Sequence, residues 1–481
     1  MVEPCAAPMC YSEPQTGEIR FGGTTLGSTR AWCPECRAVE HALYTAEAGG
    51  VFMDRICPKG GARRSPVSLS LDWFMERTRQ ARPLRQNKSL MPVRRGCPFD
   101  CGPCAHHANS LRLPIFSITN NCNLACPICF THNRPDKVYN KSLDELERIL
   151  DHIEAQSTDL DLLDLTGGEP TLHPQLLEVL SRCTRRSFRR VGMNTNGMVL
   201  GRNRALAEKI KALGSVQVIL SLDTLDAEKS LRIHGKDLVR SKLDALAMLE
   251  ELGIPTVLLL VWIPGLNDDE VPLLIRNYLP RKFVCGITIQ NMAYTGFYGS
   301  RFSPRRHSTL EEVELGLAER GGFATADFFA HGSYHPLCYS TAYFIVDGER
   351  RVPFTRLADK EVLTAATEGS FLMRHTPELE MRFRKGIDAL WVAGSTREEM
   401  VMLKKFIARF EKGDARQPGF LHEMVKTVTI HAHMDEDNFD LARVALCGDL
   451  VPDDENGTMI PACSYNLLYR QKDPRFWVEP E

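Results

Sequence analysis

Three cysteines on one short loop constrain this chain more than any other feature. Cys122, Cys126 and Cys129 stand at C-x3-C-x2-C spacing, with Phe130 right after the third, and an apolar run that reads as a strand leads into them. Three thiolates can hold three corners of a cubane iron–sulfur cluster, leaving its fourth iron without a protein ligand. An electron-carrying cluster normally has four. A small molecule is therefore expected on the open iron. Spacing alone also suits zinc or a ferredoxin-type cluster.

The other cysteines bunch in the same way. The chain has 16 in 481 residues, and its start, Met1-Val2-Glu3-Pro4, carries neither the basic nor the apolar segment of a secretion signal. Metal ligation in a reducing cytoplasm is expected rather than a disulfide framework. Cys33, Cys36 and Cys57 bracket a hairpin and read as a zinc-ribbon or rubredoxin-like knuckle, with Cys10, His41 or a residue further on as the fourth ligand. Cys97, Cys101 and Cys104 repeat the C-x3-C-x2-C spacing and call for a second cluster. His106 and His107 follow at once and are expected to bond to backbone. Cys338, Cys447 and Cys463 remain as further ligand candidates, while Cys183 and Cys285 read as small core residues.

The net charge of −2 gives no electrostatic reason to expect a nucleic acid. The most apolar run, 254–264, is too short to span a bilayer, which leaves peripheral membrane contact open. A chain this long is expected to contain several packed units. The expected division is a loosely ordered leader over 1–32, the cysteine-knuckle module over 33–92 and an auxiliary cluster loop over 93–110. A core over 111–300 and a C-terminal covering region over 301–481 follow.

Within the core, strands are expected at 113–119, 160–166, 188–194, 215–222, 254–262 and 283–290. Amphipathic helices fall between them at 142–155, 174–184, 202–213, 239–252 and 269–277. Ser142 to Glu145 reads as a capping box. Such alternation requires a parallel sheet with right-handed crossovers, and six units fit an incomplete (β/α)6 barrel with chemistry at the C-terminal strand ends. At those ends stand Gly167-Gly168-Glu169-Pro170, then Asn196, then Ser221 and Asp223. Beyond residue 300 the pattern turns to mixed α+β.

The cysteine triad, the Gly167-Gly168-Glu169-Pro170 element and the Ser221/Asp223 strand end together resemble the radical S-adenosylmethionine (SAM) superfamily. More narrowly, Cys33/Cys36, Cys57-Pro58, the Cys97–Cys104 run and Ile460 to Asn466 resemble the group containing archaeal tetraether lipid synthase and proteins described as pterin methyltransferases. Three positions depart from that group. Gly60 replaces a histidine, Cys447 is single, and Ala462 replaces an aromatic residue.

The resemblance implies a 4Fe–4S cluster on Cys122, Cys126 and Cys129, with SAM held by Gly167, Gly168 and Glu169 and contacted by Asn196, Ser221 and Asp223. It implies reductive cleavage of SAM to a 5′-deoxyadenosyl radical that functionalises an unactivated carbon. Carbon–carbon bond formation on a lipid chain is the leading expectation, and methyl transfer to a pterin or another small molecule is the alternative. A multi-cluster electron carrier or metal-sensing scaffold is the non-enzymatic reading, which the Gly-Gly-Glu element argues against. One or two auxiliary 4Fe–4S clusters, one structural zinc or rubredoxin-like iron, and an external flavodoxin- or ferredoxin-type electron donor complete the expected set.

Overall fold

The computed structural model describes residues 22–81, 93–94, 96–102, 104–131, 138–157, 159–410, 424–452 and 457–470. Cys5, Cys10 and most of the expected leader lie outside them. Four antiparallel strands, β1 (Thr24–Cys33), β2 (Ala38–Glu47), β3 (Gly50–Cys57) and β4 (Gly61–Ser68), form a sheet in chain order. This corrects the leader boundary. Residues 24–32 are Gly-, Thr- and Ser-rich, yet nearly all of them pair with β2, so long-range pairing overrides their weak local preference. The sheet docks on a segment far downstream: Thr29 Oγ1 donates to Asp440 Oδ1 at 2.5 Å and Trp32 N–H to Phe439 O at 3.2 Å.

Helix α1 (Leu71–Arg79) starts at Ser70, whose hydroxyl accepts from the Trp73 N–H. The core follows as β5 (Leu113–Thr119), β6 (Leu162–Gly167), β7 (Arg190–Thr195), β8 (Val216–Ser221), β9 (Thr256–Trp262) and β10 (Val284–Asn291). These six pair in parallel and in chain order. Between them run α2 (Leu143–Gln156), α3 (Leu176–Thr184), α4 (Arg204–Ala212), α5 (Ala227–His234), α6 (Val239–Leu252) and α7 (Val271–Tyr278). The capping box at Ser142 and Glu145 is present. Helix α5 was not expected. It is a short helix started by Asp226, and it puts two helices between β8 and β9.

The apolar faces of these helices and the outer faces of the strands bury a continuous aliphatic core, Cys183 included. Cys285 is buried as well, on the wall of the barrel cavity described below.

The C-terminal region does more than cover. Helix α8 (Leu310–Gly321) packs outside, with Glu314 accepting from Trp73 Nε1 at 2.8 Å. After β11 (Phe329–Ala330), β12 (Tyr339–Asp347) and β13 (Arg350–Pro353), strand β14 (Val425–His431) joins β10 in parallel. Strand β15 (Asp449–Pro452) joins β5, also in parallel, and β16 (Met459–Pro461) pairs antiparallel with β15. The six-unit barrel therefore gains a parallel strand at each edge, and among the described strands it does not close. Helices α9 (Lys360–Ala366), α10 (Pro377–Val392) and α11 (Arg397–Phe410) pack on β12 around a second core that includes Phe354, Phe383 and Phe406. No helix among the described residues is long and apolar enough to cross a membrane.

Candidate functional site

The loop after β5 is shaped by its backbone. Cys129 N–H donates to Cys126 O and Gly299 N–H to Cys129 O, both at 3.0 Å, while Phe297 N–H donates to Thr131 O at 3.2 Å. Burial pushes the Cys122 thiol up to about 11, and it raises Cys126 too, with the other two thiols adding to the effect. Cys129 Sγ lies 3.0 Å from Thr131 Oγ1, and Cys126 Sγ 3.8 Å from His234 Nδ1.

The turn after β6 lies directly against this loop. Gly168 N–H donates to Thr119 O at 2.8 Å, and Glu169 N–H to Asn121 O at 2.7 Å. A Cβ on Gly167, which has φ +150°, would stand 2.2 Å from Thr119 O, and one on Gly168 2.2 Å from Asn121 O. Only glycine permits so close an approach.

Glu169 is buried, and its carboxylate ties β6 to β7. Oε1 accepts from Thr171 N at 3.1 Å, Thr171 Oγ1 at 2.6 Å and Thr195 Oγ1 at 2.7 Å, and Oε2 accepts from Asn196 N at 2.7 Å. An ammonium arriving here meets a carboxylate already accepting four hydrogen bonds, so Glu169 is first a strut. Glu169→Gln would turn an amide N–H2 against fixed N–H donors. Such bonds to a charged group are worth about 1.5–3 kcal/mol. A lower melting temperature and weaker SAM binding, with iron retained, are expected together. Calorimetry showing neither change would remove Glu169 from the site.

Asn196, Ser221 and Asp223 share a partner that the sequence reading missed. Lys242 on α6 is fully buried, and its Nζ donates to Asn196 O at 2.9 Å, Ser221 O at 2.6 Å and Ser221 Oγ at 2.8 Å. Burial lowers its pKa, while Asp223, Cys126 and Glu169 act to raise it. A signal was present: Lys242 falls on the face of α6 that also buries Ala245, Leu246 and Leu249. Asp223 Oδ1 accepts from Val261 N at 2.7 Å, and burial raises this carboxyl. All the residues expected at the cofactor site line one cavity of 260 Å³: the three cysteines, Gly167, Gly168, Glu169, Asn196, Ser221 and Asp223.

A second cavity of 390 Å³ runs down the barrel interior. The two share a wall that includes Ile115, Asp164, Asn194, Ile219, Leu259 and Gln290. Asn194 Nδ2 donates to Asp164 Oδ1 and, at 3.1 Å, to Leu165 O. Burial pushes the Asp164 carboxyl up to about 7.

The remaining cysteines fall into three groups. Ligand atoms of Cys33, Cys36 and Cys57 lie within 4.8 Å of one another. A tetrahedral ion about 2.3 Å from each sulfur sets them roughly 3.8 Å apart, so this group fits a single metal ion. Gly60 N–H donates to Cys57 Sγ at 3.2 Å, and a Cβ on Gly60 would stand 3.1 Å from Cys33 Sγ. Glycine there supplies a sulfur hydrogen bond where a histidine side chain would crowd. His41 is not drawn into the group.

Among the described residues, no other three cysteines have all their sulfurs within 4.8 Å of one another, although Cys97 and Cys104 lie close enough to hydrogen-bond. The Cys97 hydrogen bond and the His106 and His107 N–H groups bring the Cys104 thiol down to about 6 against its burial. His107 Nε2 bonds to Cys447 O at 2.8 Å, the backbone role expected of it. Cys338, Cys447 and Cys463 line a small cavity with Arg443, whose Nε donates to Cys338 Sγ at 3.4 Å. Cys463 also packs in one apolar cluster with Cys101, so the two triads adjoin.

The radical SAM superfamily domain matches residues 116–277. The 7,8-dihydro-6-hydroxymethylpterin dimethyltransferase of Methanocaldococcus jannaschii is 26% identical over 92% of this chain and 94% of its own length. The GTP 3′,8-cyclase of Streptomyces coelicolor is 34% identical over 57% of this chain and 81% of its own. The crystal structure of Streptococcus suis SuiB bound to S-adenosylmethionine has 15% identity and a TM-score of 0.37, covering 60% of this chain and 69% of that one.

Proposed function

Because the chain belongs to the radical SAM superfamily and is a radical SAM enzyme, we propose that it functionalises an unactivated carbon of a polar small molecule held in the barrel. Methyl transfer to a pterin-like heterocycle is favoured over the coupling of lipid chains. The observation that carries this is the barrel cavity. Its wall presents Asp164, Asn194, Gln217, Thr288 and Gln290 beside the cofactor cavity. Polar groups facing a buried space lose free energy unless the ligand pairs with them, and an alkyl chain cannot. The whole-length relative named as a pterin dimethyltransferase supports the same choice.

Membership implies a 4Fe–4S cluster and SAM, and the donor set fits them: three thiols lining one cavity, on a loop to which two glycines bring a second strand end. When bound, this pair supplies an oxidant able to remove hydrogen from an unactivated carbon. The chain's own residues bind, orient and exclude water. Cys122, Cys126 and Cys129 would ligate iron. Gly167, Gly168, Asn196 and Ser221 would frame SAM, with Glu169 and Lys242 fixing the strand ends that carry them. An external flavodoxin- or ferredoxin-type donor would supply the electron.

The other cysteines would carry auxiliary groups: a single zinc or iron on Cys33, Cys36 and Cys57, and one or two clusters on Cys97, Cys101, Cys104, Cys338, Cys447 and Cys463. Anaerobically reconstituted protein should then hold about eight iron atoms or more; about four, the complement of one cubane, would rule the auxiliary clusters out. Substrate class is tested by incubating reduced protein and SAM with 7,8-dihydro-6-hydroxymethylpterin or with a phospholipid. A methylated pterin is expected by mass spectrometry, and turnover of the lipid alone would reverse the choice.

A further inference from the structure

The floor of the barrel cavity carries three guanidinium groups, from Arg189, Arg190 and Arg374, around two carboxylates. Two of the three are paired. Arg189 reaches Asp159 Oδ1 at 3.2 Å and Asp161 Oδ1 at 3.6 Å, and Arg374 Nη2 reaches Asp161 Oδ1 at 3.2 Å. Asp161 Oδ2 is also taken, by the N–H groups of Phe371 at 2.9 Å and Leu372 at 3.1 Å.

Arg190 has no such partner: among the described residues no ion pair or hydrogen bond satisfies its side chain. It is the first residue of β7, on the cavity wall, with Cys285 and Tyr343 beside it on that wall. Burial lowers its pKa and the Arg189 guanidinium adds to this, while the Asp161 carboxylate, already paired elsewhere, acts the other way. The side chain is half-buried, and a guanidinium is not neutralised by losing its proton at ordinary pH, so the part that faces the cavity must meet an anion or water.

We propose that Arg190 is the counter-ion for an anionic group, a carboxylate or a phosphate, on the molecule that occupies the barrel. This rests on the reading of the barrel as the substrate chamber, and it specifies the substrate further. Planar N–H pairs of arginine match both anions bidentately. Arg190 opens β7, and Asn194 on the wall shared with the cofactor cavity lies four residues further along the same strand. At roughly 3.3 Å per residue the two are about 13 Å apart. The substrate would place its reacting carbon near Asn194 and Gln290 and its anionic end at the opposite mouth of the barrel. A pterin-like head near Asn194 with an anionic tail reaching Arg190 has this shape; 7,8-dihydro-6-hydroxymethylpterin, which lacks the tail, would fill only the cofactor end and leave Arg190 to water.

The test uses full-length, anaerobically reconstituted enzyme in chloride buffer at constant ionic strength. Thermal unfolding is followed as chloride is replaced by inorganic phosphate in one arm and by benzoate in the other. Wild type should show a saturable rise in melting temperature with at least one of the anions, and the responding arm tells phosphate from carboxylate. Arg190→Leu should melt higher than wild type in chloride, because it removes an unpaired, half-buried charge, and it should respond to neither anion. Arg190→Gln, a milder change, should raise the half-saturating anion concentration at least tenfold. No anion response by wild type would overturn the proposal, as would equal responses in wild type and variants. An Arg190→Leu protein less stable in chloride would also overturn it, since Arg190 would then be structural. SAM cleavage by reduced wild type is measured separately: its absence defeats the enzymatic reading and leaves the anion result standing.

Discussion

Replacing Cys122, Cys126 and Cys129 together by alanine is expected to abolish SAM cleavage while iron bound elsewhere stays. The loop owes its shape to backbone bonds, from Cys129 N–H to Cys126 O, Gly299 N–H to Cys129 O and Glu169 N–H to Asn121 O, none of which uses a sulfur. The variant should therefore fold and lose only its iron donors. Among the described residues nothing else lining that cavity offers three soft ligands, so the loss should reach the detection limit for 5′-deoxyadenosine. Iron content should fall by about four atoms per chain, the complement of one cubane. Residual SAM cleavage would move the reactive cluster to another triad.

Lys242→Met should be the most damaging single change outside the cysteines. The side chains are similar in length, so packing is largely kept, but the cation is lost. Two strand-end carbonyls, of Asn196 and Ser221, would be left buried without their donor. The neighbouring Asp223 would lose the charge that favours its ionised form. Breaking a buried charged network by removing one partner costs about 3–5 kcal/mol. A matching fall in unfolding free energy is expected, together with loss of SAM affinity, because Asn196 and Ser221 lie on the cofactor cavity. Lys242→Arg, too bulky for the slot, should not rescue. A Lys242→Met protein with wild-type stability would show that solvent reaches these carbonyls.

The elements of the core could be read from the chain because each announces itself locally. The apolar run 113–119 matches β5, the helix expected at 239–252 is α6, and the capping box at Ser142 starts α2 one residue later. The cofactor residues were readable for the same reason, as turns following strands. What stayed hidden depends on distant pairing. The mixed α+β pattern beyond residue 300 does not say that Val425–His431 lies beside β10 in parallel. Asp449 to Pro452 is too short to be noticed until it pairs with Leu113. Single polar residues inside regular elements were hidden too. Lys242 sits in a helix and Asp164 in a strand, and only the folded barrel shows that one is enclosed by carbonyls and the other faces a cavity.

The two strands that flank the barrel also set an order of events during synthesis. Strands β5 to β10 leave the ribosome as a set, but the edge of β5 stays bare until Asp449 emerges, long after Asn291 has ended β10. At about 5–20 residues per second, that delay is roughly ten to thirty seconds. Until β14 emerges the nascent barrel exposes two unpaired edges, and until β15 emerges one, each able to pair with another chain. Truncation before β15 should therefore yield aggregates rather than a smaller working barrel.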